Sequence, residues 1–87
     1  KVIRLKIPIP TEERRRELLR LVNRKVEESH VAVRNIRRDS LREVEKGKGI
    51  SVDDLRRLQA KIQEITDLYI ARLDELGTQK KTEVMEV

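Results

Sequence analysis

A run of arginines within residues 31–40, VAVRNIRRDS, is the part of the chain best suited to chemistry. The apolar residues of this run recur at steps of three and four, so one side of the helix that they predict should pack. Arg34 and Arg38 are four residues apart and share another side, and Arg37 lies between the two, beside the edge of the apolar stripe. Guanidinium groups match the geometry of phosphate. The run therefore predicts a packed helix that presents arginines to a ligand.

More arginines follow one another at four-residue steps on the same predicted helix, roughly opposite its apolar side. Nearby glutamates partly neutralise them, so a solvated surface without a ligand is the alternative for any one of these side chains. The charge distribution favours a polyanionic partner, because residues 1–50 carry 15 Lys and Arg against 8 Asp and Glu, whereas residues 51–87 carry 6 against 8. The stripe consists of Arg16, Arg20, Arg24, Arg34, Arg38 and Arg42.

The composition excludes several classes of protein. The chain has 87 residues, of which 43% are charged and 1% aromatic, so it suits one domain of long solvated helices with a narrow apolar seam. It contains no cysteine, which excludes a disulfide framework and a thiolate metal site. Charged residues interrupt its only apolar stretch near the start, so we expect neither a membrane helix nor a secretory signal. Because the first residue is Lys1 rather than Met, we expect a processed chain or a part of a longer one.

The first ten residues predict an extended segment and a hinge. Residues 2–7 place Val, Arg and Lys on one side and Ile, Leu and Ile on the other, with the two-residue period of a strand whose partners must lie elsewhere. Pro8 and Pro10 then fix the backbone of a short, stiff connector. We expect residues 1–10 to join another body to a helical domain at 11–87.

Two long helices are predicted. Thr11 suits the N-cap of the first, over about residues 12–45; Gly47 and Gly49 end it, and Ser51 caps a second, over about residues 52–85. The Gly-Lys-Gly between them lacks the spacing and the Ser or Thr of a phosphate-binding loop. The predicted packing seams are Leu18, Leu19, Val22, Val26, Ser29, Val33, Ile36, Ser40 and Val44 in the first helix, and Leu55, Leu58, Ile62, Ile65, Tyr69, Leu73, Leu76, Lys80 and Val84 in the second.

A short connection between two long helices predicts an antiparallel hairpin, and hence an all-α fold. Ser29 and Ser40 are small enough to allow close approach of a neighbour, whereas Gly77 should interrupt the second seam and cost about 1 kcal/mol relative to alanine. The apolar stripes are wider than a two-helix contact requires. We therefore expect a third helix, from missing sequence or from another chain, to cover an open groove.

Several separated motifs resemble the ribosome recycling factor family, in the family's order, from about Ile3 to Val87. They are IP at 7–8, TEERRREL at 11–18, VAVRNIRRD at 31–39, ISVDDL at 50–55 and IQEITD at 62–67. The resemblance covers the C-terminal half of such a protein, which has an N-terminal helix and an inserted β domain ahead of this point. It implies a three-helix bundle of which this chain supplies two helices, with residues 2–7 as the last strand leading out of the β domain.

The resemblance also implies a function. Such factors bind the ribosome after termination and, with elongation factor G, split it into subunits for reuse, while their bundle lies against large-subunit ribosomal RNA. They are not enzymes and need no cofactor or metal, and we expect a bacterial cytoplasmic protein, with the chloroplast or mitochondrial matrix as the alternative. The arginines of the family motif that carry the RNA contact correspond to Arg34, Arg37 and Arg38, and we expect Arg16, Arg20 and Arg24 to extend that surface.

Two departures from the family pattern concern the hinge and the helix tips. Pro10 stands where the family more often has an apolar residue, which predicts a stiffer or differently angled hinge. The connection at 46–49 is shorter than usual, which should trim the tips of the helices. Neither departure touches the arginine motif.

Two other functions are open on the sequence. The first is a plain interaction hairpin, whose apolar seam recruits a partner helix and whose arginines are only solvated. The second is an enzyme, but His30 is the only histidine, and no nucleophile stands beside a base. Asp53 and Asp54 lie at a helix start, where capping explains them.

Overall fold

The computed structural model describes residues 11–86, which form two long α-helices joined by a short connection. Helix α1 spans Glu12–Glu45 and helix α2 spans Val52–Glu86, where the sequence predicted helices over about 12–45 and 52–85. Each is about 50 Å long at the ~1.5 Å rise per residue of an α-helix. The predicted all-α hairpin is confirmed. The predicted strand at residues 2–7 and the hinge prolines Pro8 and Pro10 lie outside the described residues.

Hydrogen-bonded caps define the helix ends next to the connection and at the start of α1. The hydroxyl of Thr11 accepts a hydrogen bond from the backbone N–H of Arg14 at 3.2 Å, which satisfies one of the free amides of the first turn. At the start of α2, the hydroxyl of Ser51 accepts one from the N–H of Asp54 at 3.1 Å. Between the helices, Gly49 has a φ of +82°, a conformation that glycine adopts without the strain of a side chain.

The two helices pack antiparallel. Val26 of α1 meets Gly77 of α2, and His30, one turn further along α1, meets Asp74, one turn back along α2. A Cβ atom added to Gly77 would lie 2.7 Å from Cγ2 of Val26, so the backbone of α2 lies directly against this valine. The sequence predicted that Gly77 interrupts the second seam. In the structure it lies inside α2, is buried, and is where the helices come close together.

Thr66 has the most buried side chain among residues 11–86, with 5% of its surface exposed. Its hydroxyl donates a hydrogen bond to the carbonyl oxygen of Ile62 at 2.8 Å, so the polar atom is satisfied within its own helix. This threonine was not part of the predicted seam. Together with Gly77 it shows that α2 turns small residues towards α1.

The seam of α2 is therefore rotated from the predicted one. Four of the nine predicted residues are half-buried, but the other five, towards one side, are exposed, because α2 is turned so that the buried Thr66 and Gly77 face α1. Tyr69, predicted in the seam, is 55% exposed, and on α1 Ile36 is 65% exposed. No apolar side chain among residues 11–86 is fully buried. The predicted α2 seam residues that are exposed are Leu58, Ile65, Tyr69, Leu76 and Lys80.

His30 makes a polar contact between the helices. Its Nε2 atom lies 2.7 Å from Oδ1 of Asp74, its Nδ1 atom lies 3.9 Å from Oε2 of Glu27, and its side chain is 14% exposed. Nε2 makes no aligned hydrogen bond within residues 11–86, although Oδ1 of Asp74 lies close to it. The contact joins the helices one turn from Gly77.

Neither helix within residues 11–86 has an apolar stretch long enough to cross a membrane.

The close approach at Gly77 predicts that Gly77→Ala destabilises the hairpin. Alanine favours an isolated helix by about 1 kcal/mol over glycine, but overpacking against a stiff β-branched side chain costs about 1–3 kcal/mol. We expect a lower free energy of unfolding in urea titrations followed by circular dichroism. The double variant Gly77→Ala/Val26→Ala should recover part of the loss, and Thr78→Ala, on the exposed neighbour, should change stability by less than about 0.5 kcal/mol. A Gly77→Ala chain as stable as its parent would contradict the close contact.

The exposed apolar side of the hairpin predicts that the 87-residue chain alone is weakly folded or self-associates. Sedimentation equilibrium should show association, and the melting temperature should rise with protein concentration over an approximately tenfold range. The double variant Ile36→Gln/Tyr69→Gln should reduce association, because both side chains are more than half exposed. A sharp, concentration-independent melt of a monomer would contradict this prediction.

Candidate nucleic-acid interface

One face of α1 is lined with exposed arginines. Side chains four residues apart lie on neighbouring turns of one face, and two positions separated by eighteen residues share the same face, because five turns of an α-helix at ~3.6 residues per turn contain 18 residues. All six arginines that the sequence placed in a stripe are exposed in the structure. We call them the basic face: Arg16, Arg20, Arg24, Arg34, Arg38 and Arg42.

The charge of the basic face is little neutralised by its surroundings. Within residues 11–86, no carboxylate lies within 4.0 Å of the guanidinium groups of Arg24, Arg34 or Arg42. Nε of Arg38 lies 3.6 Å from Oδ1 of Asp39, and both side chains are more than half exposed, so this pair is weak. The face therefore presents positive charge to the solvent, where an anionic ligand can reach it.

Arg37 lies apart from the other two arginines of its motif. It is half-buried and borders a cavity of about 330 Å³ between the helices, whereas Arg34 and Arg38 are exposed. Thr66 and Ile62 of α2 line the same cavity. The apolar stem of an arginine packs well on such a surface while its charged end stays in water. The sequence placed Arg37 beside the apolar stripe, and the structure agrees.

The open apolar groove lies between α1 and α2, on the side of the hairpin away from the basic face. Two cavities mark it: the one that borders Arg37, and a second of about 290 Å³ lined by residues that include Leu21, Leu76 and Gly77. Their apolar lining includes side chains that neither helix covers, such as Ile36 and Tyr69. The open groove is as the sequence predicted, and no other segment of residues 11–86 covers it. A third helix in this groove stays a prediction.

The groove and the basic face point in different directions. Ile36, on the rim of the groove, is two residues from both Arg34 and Arg38, and side chains two positions apart on a helix do not face each other. A helix laid into the groove would therefore leave these two arginines in solvent. Binding in the groove and binding at the basic face can occur together.

The described residues offer no metal centre, because no group of three His, Cys, Asp or Glu side chains within 11–86 lies close enough to hold an ion. The His30–Asp74 pair was missed from the sequence, since its two residues lie on different helices and nothing in the spacing along the chain links them. The register of α1 against α2 alone brings them together.

Comparison with known proteins gives a consistent result. The family model described as Ribosome recycling factor matches residues 1–85. A protein named Ribosome-recycling factor from Roseiflexus castenholzii is 53% identical over 90 residues, covering 100% of this chain and 49% of that protein. Proteins of the same name from Rubrobacter xylanophilus and Thermomicrobium roseum are 51% and 48% identical, cover 100% and 98% of this chain, and are each covered over 48% of their own length. The chain thus spans about half the length of the curated relatives it matches.

Proposed function

Because this chain belongs to the ribosome recycling factor family, we propose that it takes part in ribosome recycling. It binds the large ribosomal subunit after termination and, together with elongation factor G, promotes dissociation of the post-termination ribosome. The observation that carries this proposal is the family match over residues 1–85, with 53% identity to a relative over the whole chain. In this proposal the protein is not an enzyme, and elongation factor G carries out the nucleotide hydrolysis.

The basic face and Arg37 are the proposed contact with ribosomal RNA. The exposure of Arg34 and Arg38 supports this role, because guanidinium groups in solvent can form paired hydrogen bonds with phosphate oxygens. Folded or double-stranded RNA fits better than a stacked single strand, since Tyr69 is the only aromatic residue in the chain and lines the groove instead. Arg16, Arg20 and Arg24 extend the same surface.

The open groove supports a third helix as the structural partner of the hairpin. The relatives are about twice as long as this chain, and the preceding half is the proposed source of that helix and of a β domain. Residues 1–10 would then join the β domain to the bundle, with Pro8 and Pro10 as the hinge. Bacterial relatives support a bacterial cytoplasmic location for the assembled factor.

A helical interaction module is the second candidate function, and the exposed apolar residues of the groove favour it. In that case a partner protein would fill the groove, and the arginines would have no ligand. The two functions differ in what a charge change at the basic face does, because only RNA binding depends on it.

We expect salt-sensitive co-sedimentation with isolated large ribosomal subunits. The protein for this test is a chimera in which the N-terminal half of the Roseiflexus castenholzii relative precedes this chain, so that the groove is filled. Counterion release makes affinity for RNA fall steeply with salt, so binding at low salt should weaken at physiological salt. Arg34→Glu and Arg37→Glu should each lower binding about tenfold or more, because a phosphate contact is lost and a repulsive charge is added.

Arg56→Glu is the matched control, since Arg56 is an exposed arginine on α2, away from the basic face. Arg34 is exposed, so its substitution also separates loss of binding from any destabilisation caused at the half-buried Arg37. Equal loss with the Arg56 variant would mean a diffuse charge effect and would refute the assigned site. Binding that survives both α1 substitutions would favour the interaction module.

A further inference from the structure

The basic face divides into two groups of three arginines with the same internal spacing. Within each group the residues follow at four-residue steps, and each member of the second group lies eighteen residues after its counterpart in the first. The two groups therefore have the same orientation around the helix axis, because 18 residues make five turns at ~3.6 residues per turn. We call them the first cluster, Arg16, Arg20 and Arg24, and the second cluster, Arg34, Arg38 and Arg42.

The stretch between the clusters breaks the positive charge. Glu27 and Val31 occupy the helix positions that would continue the face from Arg24 to Arg34 at steps of three and four. Val31 is 48% exposed, and the side chain of Glu27 is 69% exposed. A carboxylate in this position repels a phosphate instead of binding it, so the middle of the face is unsuited to an RNA backbone.

The dimensions fit separate binding at each end. One cluster spans about 12 Å of helix, and the cluster centres are about 27 Å apart, at ~1.5 Å per residue. Three arginines within about 12 Å can neutralise a short run of phosphates on one strand. A continuous RNA backbone laid along both clusters would have to pass the carboxylate of Glu27 and the apolar Val31.

We infer that the basic face holds two separate phosphate-binding sites, one at each arginine cluster, each taking a backbone segment of folded RNA. This inference rests on the proposed RNA binding and adds that the ligand touches α1 in two places with a gap at Glu27. Under this inference Arg24 and Arg42, at the ends of their clusters, bind phosphate as their neighbours in the same cluster do. A protein such as this can therefore bridge two RNA segments with one rigid helix.

The test is the number of short RNA hairpins that one protein molecule binds. The stem of a six-base-pair hairpin is at most about 20 Å long at ~3.4 Å per base pair, which is shorter than the distance between the cluster centres. Isothermal titration at low salt with the chimera should give two hairpins per protein. Each binding step should show a slope of about −2 to −3 in log affinity against log salt, as expected for about three phosphate contacts.

Two triple variants assign the sites. Replacement of all three arginines of the first cluster by glutamine should reduce the number of bound hairpins from two to one, and the same replacement in the second cluster should do the same. Glu27→Gln should leave both the stoichiometry and the salt slope unchanged. Circular dichroism should show unaltered helix in all of them, because every substituted side chain is exposed.

One hairpin bound per protein, weakened by both triple variants, would overturn the inference in favour of a continuous site. A clear gain of affinity with Glu27→Gln would do the same. Absence of hairpin binding would also overturn it, and would leave the proposed function to the ribosome test, which does not depend on the number of sites. If the protein binds ribosomal subunits but has a single hairpin site, this inference fails and the proposed function stands.

Discussion

The contact of α2 against α1 through small residues is the constraint on which the rest of the structure depends. Gly77 lies against Val26, and Thr66 is the most buried side chain of the described chain. Because these small residues occupy the seam, several large apolar side chains of α2, among them Leu58, Ile65 and Tyr69, lie exposed to one side of it. The hairpin thus has an apolar side that neither of its helices covers, and we expect its stability to depend on what covers that side.

The same contact determines what α1 presents to the solvent. A helix that packs along one narrow seam leaves most of its circumference free, and in α1 that circumference carries the six exposed arginines of the basic face. The His30–Asp74 pair, one turn from Gly77, adds a polar contact at the edge of the seam. Packing and charge thus lie on separate sides of one helix about 50 Å long at ~1.5 Å per residue, so a ligand can be bound without disturbing the seam.

The sequence predicts the helices well and the rotation of α2 poorly. Helix ends depend on local chemistry, and the hydroxyls of Thr11 and Ser51 make the expected capping hydrogen bonds. The seam depends on a neighbour that the local sequence does not contain. Leucine, isoleucine and tyrosine are spread over a broad side of α2, so hydrophobic periodicity alone does not show which edge faces α1. A buried Gly77 contributes no apolar signal at all.

For the candidate site, the sequence predicts which residues are exposed but not which of them act together. The four-residue steps place Arg34 and Arg38 on one face, and the apolar stripe sets Arg37 at its edge, as the structure has them. Neither pattern predicts which ligand binds, because the spacing of residues along a helix determines only where the side chains lie on the protein. Since the groove and the arginines lie on different sides of α1, the covering of one does not compete with binding at the other. A third helix in the groove would instead restrain α1, and so help to keep the distance between its arginines fixed.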